Sequence, residues 1–193
     1  MYFISKIVRY VSRQFESLLY RQRIVKIKLL YPGVSIDFKT KIEKGCSIIC
    51  VDGGRLVIKN SHISFGTLIK ADCNSILSIN NTFIGRNCVI VAKEKITIEK
   101  NCLIAEMVVI RDQDHALDPA SRNSFVTVPI EIQENVWIGS RATILKGTRI
   151  GKNSVIAASA VVTNEIPSNE LWAGIPAYQL KKLSGETCLK SSA

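Results

Sequence analysis

A histidine stands among three carboxylates in residues 111–119, where His115 follows Asp112 and Asp114 and precedes Asp118. An imidazole titrates near neutral pH, so in this setting it suits a general base that removes a proton from a hydroxyl or an amine. Asp112 or Asp114 is the predicted partner that fixes the tautomer of the ring, and a backbone carbonyl could do the same. A single histidine in a polar loop can equally be an exposed residue without a catalytic role. The elements that surround it therefore decide between the two interpretations.

The elements that must position His115 repeat with a six-residue period. Six apolar residues recur at that interval: Ile132, Ile138, Ile144, Ile150, Ile156 and Val162. A single helix would mix spacings of three and four, and a hairpin strand would alternate. A period of six is instead typical of a solenoid of short parallel strands, which places the chain in the all-β class.

A second, smaller residue follows each of these markers by four positions, so one large and one small inward slot repeat. The small slots are Val136, Ala142, Thr148, Ser154 and Ala160. The same period runs through Ile36, Ile42 and Ile48, then Ile84, Ile90 and Ile96, then Ile98, Ile104 and Ile110. Between Val51 and Thr82 the register is poor, and irregular coils are predicted there.

The cysteines fit this core pattern. Cys46, Cys88 and Cys102 each fall in a small slot, four residues after an isoleucine marker, so we expect packing and neither disulfides nor metal ligands. With two histidines in the whole chain, no metal site is predicted.

The period is lost between Ile110 and Ile132. The intervening residues are polar and include Pro119 and Pro129, which predicts a protruding loop over 111–131 that carries His115. We therefore divide the chain into an N-terminal amphipathic helical segment at 1–32, the solenoid at 33–168, and a cap, short helix and tail at 169–193.

Positive charge is concentrated at the N-terminus. The net charge is +10, and residues 1–30 hold seven basic residues against Glu16. Apolar residues there fall at helical spacing: Ile4, Ile7, Val8, Val11, Phe15, Leu18 and Leu19. Two interpretations stay open, a cap over the first coil and peripheral contact with an acidic membrane surface. No nucleic-acid module accompanies the charge, and no secretion signal is recognised, so a cytoplasmic location is expected.

The C-terminal half resembles the acetyl-CoA half of hexapeptide-repeat acetyltransferases. The resemblance rests on NVWIGS at 135–140, GKNSVIAASAVVT at 151–163 and WAGIPA at 172–177, together with the six-residue markers. It implies a left-handed parallel β-helix, acetyl-CoA as the acyl donor, no metal, and a homotrimer with sites between subunits.

The resemblance also implies roles for single residues. His115 matches the catalytic base in the protruding loop of the galactoside, maltose and Nod-factor acetyltransferase branch. Ser140, Ala158 and Thr163 match positions along the pantetheine arm of CoA, the Ser140 N–H being the oxyanion donor, and Lys181 lies near the CoA phosphates. Trp137 resembles the aromatic residue on the acceptor side, although packing in the core or the trimer is an equal alternative, and Asn87 is the candidate acceptor-binding asparagine.

The implied function is acetyl transfer from acetyl-CoA to a sugar hydroxyl, in the manner of capsule and O-antigen acetyltransferases. Its partner would be a sugar or polysaccharide acceptor. N-acetylation of a nucleotide-linked amino sugar is the alternative, because the same base can serve an amine. A non-catalytic scaffold would have no reason to keep His115 beside the segment 137–177.

Overall fold

The computed structural model describes residues 2–183, and the side chains of all of these except residues 2–5, 7–10 and 13. A long helix, α1 (Tyr2–Leu30), leads into a stack of short strands. Pro32 and Gly33 follow directly, and both residue types end helices. The next six turns of the chain each add one strand to each of three parallel sheets, and a C-terminal hairpin extends the second sheet.

The three sheets form the sides of a prism. The first sheet contains β1 (Val34–Ile36), β4 (Arg55–Lys59), β7 (Ile76–Asn80), β10 (Lys95–Ile98), β15 (Ile130–Ile132) and β18 (Arg149–Ile150). The second contains β2 (Lys41–Ile42), β5 (His62–Ile63), β8 (Phe83–Ile84), β11 (Leu103–Ile104), β16 (Trp137–Ile138), β19 (Val155–Ile156), β21 (Glu170–Gly174) and β22 (Ala177–Lys182). The third contains β3 (Ser47–Cys50), β6 (Leu68–Ala71), β9 (Val89–Ala92), β12 (Val109–Arg111), β17 (Thr143–Ile144) and β20 (Val161–Val162).

The six-residue markers form the core of the prism, as predicted. All six from Ile132 to Val162 are fully buried, and so are the small slots between them. In the first sheet, Ile98 pairs with Ile132 and Ile132 with Ile150, so the isoleucines of successive coils stack directly. Burying a side chain of this size stabilises the fold by roughly 1.5–3 kcal/mol, which is why the period dictates the architecture.

The coils between Val51 and Thr82 are regular, contrary to the prediction, and they are longer than the later coils. Ile36 pairs with Ile58 and Ile58 with Ile79, so these coils keep full parallel registers. The extra residues lie at the corner that joins the third sheet to the first sheet of the next coil, which we call the third corner. Val51 to Gly54 and Asp72 to Ser75 form turns there. The added length breaks the six-residue period in the sequence while leaving the strands in place.

Asparagines line the corner between the first and second sheets. Asn135 and Asn153 have left-handed backbones, with φ of 59° and 61°. The Asn135 side-chain amide donates to the Asn153 side chain at 3.2 Å, and Asn153 donates to Asn169 at 2.8 Å. An asparagine tolerates this conformation better than other residues with a side chain, which accounts for its recurrence.

The second half of α1 caps the first coil. Ile24 is fully buried in the core, Ile27 packs against it, and the Arg23 guanidinium donates to the Ile42 carbonyl at 2.9 Å. This contact satisfies the cap interpretation, since a solenoid must cover the end of its core. Within residues 2–183, no helix combines the length and the apolar character that crossing a bilayer requires.

The short helix predicted within residues 169–193 does not occur in the described part of that range, where residues 170–182 form a hairpin. Strand β21 pairs in parallel with β19, and β22 folds back on β21. The last coil offers an unpaired strand edge, and an extended chain satisfies those backbone groups where a helix could not. Residues 184–193, which include the predicted tail, lie outside the described residues.

The cysteines pack as predicted. Cys88 and Cys102 are buried and Cys46 is half-buried, and the five cysteines of the described chain are unpaired thiols. Burial raises the pKa of the Cys102 thiol to about 11. No cluster of potential metal ligands occurs within residues 2–183.

Candidate active site

A buried carboxylate fixes the base of the protruding loop. Asp112 is fully buried, and its side chain accepts hydrogen bonds from the backbone N–H groups of Lys93, Glu94 and Lys95 at 2.8–2.9 Å. Its carbonyl accepts from Val128 N–H at 3.0 Å, which closes the loop at its other end. Burial raises the pKa of Asp112 above its ordinary value, although the three N–H groups lower it in part.

The loop itself is a short hairpin. Strand β13 (Gln113–His115) pairs antiparallel with β14 (Phe125–Thr127), and His115 lies opposite Phe125. A single turn of 3-10 helix (Pro119–Ser121) joins them, with Asp118 as its N-cap. The insertion predicted over 111–131 is an ordered arm between β12 and β15, and Arg111, Ile130 and Glu131 belong to those two strands.

Two contacts set the orientation of the exposed His115 ring. Nδ1 lies 2.8 Å from the carbonyl oxygen of Arg122, and the ring packs against Phe125 with centroids 4.5 Å apart. A carbonyl oxygen accepts only, so Nδ1 carries the proton and the neutral ring keeps its lone pair on Nε2. The ring can therefore act as a base through Nε2.

Neither predicted carboxylate orients the ring. Asp112 is occupied by backbone N–H groups, and Asp114 forms an ion pair with Lys146. Predicting either as the partner of His115 was wrong, and the backbone carbonyl named as the other option fills that role. Asp112 has a positioning role instead, because it holds the loop to the preceding coil.

Two further residues, Phe125 and Lys93, support the His115 ring on the side of Phe125. Neither of them was identified from the sequence. The Lys93 ammonium lies 4.3 Å from the centroid of Phe125 and 3.2 Å from a carboxylate oxygen of Asp72. A chain of contacts thus runs from Asp72 through Lys93 and Phe125 to His115. The approach of an ammonium to an aromatic face is attractive and adds rigidity. The antiparallel partner of His115 could have been found only by pairing the two ends of the loop.

Three of the predicted contact residues share one edge of the prism, the corner between the second and third sheets, which we call the second corner. The Ser140 carbonyl accepts from Ser159 N–H at 2.9 Å, and a Cβ on Gly139 would lie 2.5 Å from the Ala158 nitrogen. Ser140 and Ala158 are thus stacked in adjacent coils. Asn87 lies at the same corner two coils earlier, roughly 10 Å away at about 4.8 Å per coil. No described residue accepts a hydrogen bond from the Ser140 N–H, which leaves it available.

Trp137 and Lys181 share the outer face of the second sheet, beside this corner. Trp137 pairs with Leu103 and Val155, and its side chain is 53% exposed, so it is not a core residue. Leu171 continues the Val155 row, and Lys181 lies opposite Leu171 in the hairpin. Residues directly opposite in an antiparallel pair point to one face, so Lys181 lies on the face of Trp137.

Thr163 lies elsewhere, at the third corner. It follows β20 directly, and β20 stacks on β17, which stacks on β12, where the His115 arm emerges. One copy of the chain therefore carries the imidazole and Thr163 at one edge of the third sheet, and Ser140 and Ala158 at the other. The exposed side chains that surround Ser140 are those of the second corner and not of the arm.

Comparison with known proteins agrees with this geometry. Residues 129–164 match the family of bacterial transferase hexapeptide (six repeats) proteins. The chain is 37% identical over 113 residues to galactoside O-acetyltransferase of Escherichia coli K12, covering 54% of this chain and 56% of that one. It is 29% identical to the solved structure of the polySia-specific acetyltransferase NeuO, with a TM-score of 0.70 over 82% of this chain and 71% of that one. The fold is also shared with a hexapeptide-repeat acetyltransferase of Vibrio cholerae complexed with acetyl coenzyme A, at 23% identity and a TM-score of 0.58 over 85% and 78% of the two chains.

The hexapeptide repeat is matched over residues 129–164, and the fold of the chain is the left-handed β-helix of the hexapeptide acetyltransferases. The chain spans about half the length of the curated relatives it matches.

Proposed function

We propose that this protein transfers the acetyl group of acetyl-CoA to a hydroxyl of a sugar in a surface polysaccharide. The observation that carries the proposal is the His115 ring, which is exposed on an ordered arm with Nδ1 fixed by the Arg122 carbonyl and Nε2 free to accept a proton. Names of relatives support the acceptor class, since one acts on galactosides and NeuO is specific for polySia.

The reaction is a direct transfer in a ternary complex. Nε2 of His115 takes the hydroxyl proton while the acceptor oxygen attacks the thioester carbonyl carbon. The C–S bond then breaks, and the CoA thiolate leaves with the proton that the imidazolium returns, which yields the acetyl ester and CoA. The Ser140 N–H stabilises the negative charge that develops on the carbonyl oxygen. A general base contributes about 10²- to 10⁴-fold and one oxyanion donor about 10²- to 10³-fold.

The site lies between copies of the chain, in a homotrimer. His115 and Ser140 occupy different edges of one prism, so the arm of one copy meets the second corner of its neighbour. The outer face of the second sheet supports this contact, because Phe83, Leu103 and Trp137 are apolar and 40–54% exposed there. A closed three-fold arrangement would cover this face and build three equivalent sites. Lys181, on the same face, contacts the CoA phosphates, and Asn87 and Trp137 contact the acceptor.

The first experiment replaces His115 with alanine and measures thiol release from acetyl-CoA with a panel of sugars, nucleotide sugars and oligosaccharides. We expect the rate to fall by about 10²- to 10⁴-fold while CoA binding and assembly stay unchanged. Leu117→Ala is the matched control, because Leu117 is 93% exposed on the same arm. Unchanged turnover in His115→Ala would eliminate this residue as the base. Mass spectrometry of the product, with its lability in alkali, separates an ester from the amide of an N-acetyltransferase.

A mixing experiment tests whether the site is shared. His115→Ala lacks the base, and Ala158→Trp blocks the second corner, so each variant alone is inactive. Refolding the two together should restore part of the activity, because some interfaces then combine an intact arm with an intact corner. An active monomer by sedimentation, or a mixture that stays inactive although it assembles, would contradict a shared site.

A further inference from the structure

Helix α1 carries two apolar sides. At 3.6 residues per turn, Tyr20, Ile24 and Ile27 fall on one side, which covers the first coil. A second group lies on roughly the opposite side of the helix, which we call the outer stripe: Val11, Phe15, Leu18, Val25 and Leu29. The first side packs on the first coil, where Ile24 and Ile27 contact the core. The outer stripe is not among the residues that pack against the core.

The outer stripe is exposed along its length. Its five side chains are between 45% and 79% exposed, with Leu29 the most accessible. The stripe is interrupted once, by Gln22 between Leu18 and Val25. Exposed large apolar side chains gathered on one side of a surface helix mark a contact with another apolar phase. The spacing of three and four would suit either a partner helix or the acyl boundary of a bilayer.

The charges beside the outer stripe decide between these partners. Arg21 and Lys28 flank it on one side and Lys26 on the other, while the acidic Glu16 of the helix lies well away from it. In a contact between copies of α1, these cations would face their own counterparts and repel. Against an anionic lipid surface, the same cations reach the headgroups while the apolar side chains enter the acyl boundary.

We infer that α1 docks the protein on an anionic lipid bilayer through the outer stripe, with Arg21, Lys26 and Lys28 at the headgroups. Because the stripe faces away from the first coil, docking leaves the cap intact and exposes the rest of the prism to water. This surface is separate from the acetyl-transfer site, so it stands or falls independently of the proposed function.

The test is sedimentation of the full chain with phosphatidylcholine vesicles that contain or lack phosphatidylglycerol. We expect binding to the anionic vesicles, weakening at high salt, and little binding to neutral ones. Phe15→Glu should weaken binding by about tenfold or more, because it removes a large apolar side chain from the stripe. Ser12→Glu is the control with a matched charge, since Ser12 is exposed on the same helix outside the stripe, and it should weaken binding only a few fold.

A second pair of variants tests the cations. Arg21→Gln with Lys26→Gln should reduce both the affinity and its salt dependence, whereas Lys59→Gln with Lys152→Gln, at exposed positions on the prism, should not. Equal binding of Phe15→Glu and the wild type, or no preference for anionic vesicles, would overturn the inference. So would a change in the assembly mass of Phe15→Glu without lipid, because the stripe would then be a contact between copies.

Discussion

Nδ1 of His115 lies 2.8 Å from the carbonyl oxygen of Arg122, so the backbone of the arm, and no side chain, selects the tautomer of the ring. The carbonyl is held by the turn that follows Asp118, in which Ser121 and Ser124 N–H groups bond back along the chain at 3.1 and 2.8 Å. Any residue at 122 presents the same oxygen provided that the turn persists.

Phe125→Ala should slow acetyl transfer more than Arg122→Ala. Phe125 packs against the His115 ring and lies beneath the Lys93 ammonium. Without Phe125 the ring can rotate, and Nε2 then no longer points to the acceptor hydroxyl. We expect kcat to fall at least about tenfold in Phe125→Ala, with little change in the KM for acetyl-CoA. Arg122→Ala keeps its carbonyl and should transfer at close to the normal rate. Steady-state kinetics of both variants would refute this if Arg122→Ala proved the slower.

Gly139→Ala should destabilise the second corner. A Cβ at this position would lie 2.5 Å from the Ala158 nitrogen and 2.8 Å from the Ala157 carbonyl carbon, and backbone atoms cannot move aside as a flexible side chain would. Overpacking of this kind costs roughly 1–3 kcal/mol, so the midpoint of thermal unfolding and the transfer rate should both fall.

Ser140→Ala is the control for that change. It leaves the backbone N–H in place and adds no atom, so stability and the transfer rate should stay near those of the wild type. A large loss of rate in Ser140→Ala, at normal stability, would assign the oxyanion contact to the hydroxyl and would argue against the backbone donor.

The Asp72 ion pairs should make the free energy of unfolding depend on pH in the acid range. Burial by itself raises the pKa of Asp72, but hydrogen bonds from Lys70 and Lys93 outweigh it, and the pKa lies below its ordinary value of 3.8. A carboxyl whose pKa is depressed on folding stabilises the fold above its unfolded pKa, and this contribution disappears as the pH falls through the folded pKa. Asp72→Asn should therefore lower the free energy of unfolding at neutral pH, on the order of 1–3 kcal/mol.

Urea denaturation across the acid range checks this expectation. The gap between Asp72→Asn and the wild type should narrow as the pH is lowered below 3.8. Asp114→Asn is a suitable comparison, since the Asp114 side chain is 46% exposed against 4% for Asp72. A gap that stays constant with pH would mean that Asp72 acts by packing and not by charge.

The prism was predictable because most of its coils follow one six-residue pattern of inward side chains. Ile138 and Ala142 illustrate this pattern, because they occupy a large and a small inward slot. Both side chains are fully buried. The arm was predictable from the interruption of that pattern. The structure places His115 on the arm, and its role as the base stays a prediction.

Other features could not be deduced from side-chain patterns. The contact between Arg122 and His115 uses a backbone carbonyl, which any residue carries and no sequence pattern marks. Asp112 was assigned to the ring by proximity along the chain, but its burial against Lys93 to Lys95 depends on how two coils stack. The C-terminal hairpin arises because the open edge of β19 attracts an extended chain, which is a property of the finished solenoid and not of residues 170–182.

The residues that lengthen individual coils are concentrated at the third corner of the prism. Ten positions separate Ile48 from Ile58 and Ile69 from Ile79, against six between Ile144 and Ile150, and the His115 arm leaves the prism at that same corner. Length can therefore be added there without disturbing the hydrogen-bonded ladders on the three sides. A longer or shorter loop between Ile110 and Ile132 should therefore leave the pairing of β12 with β17 and of β10 with β15 unchanged.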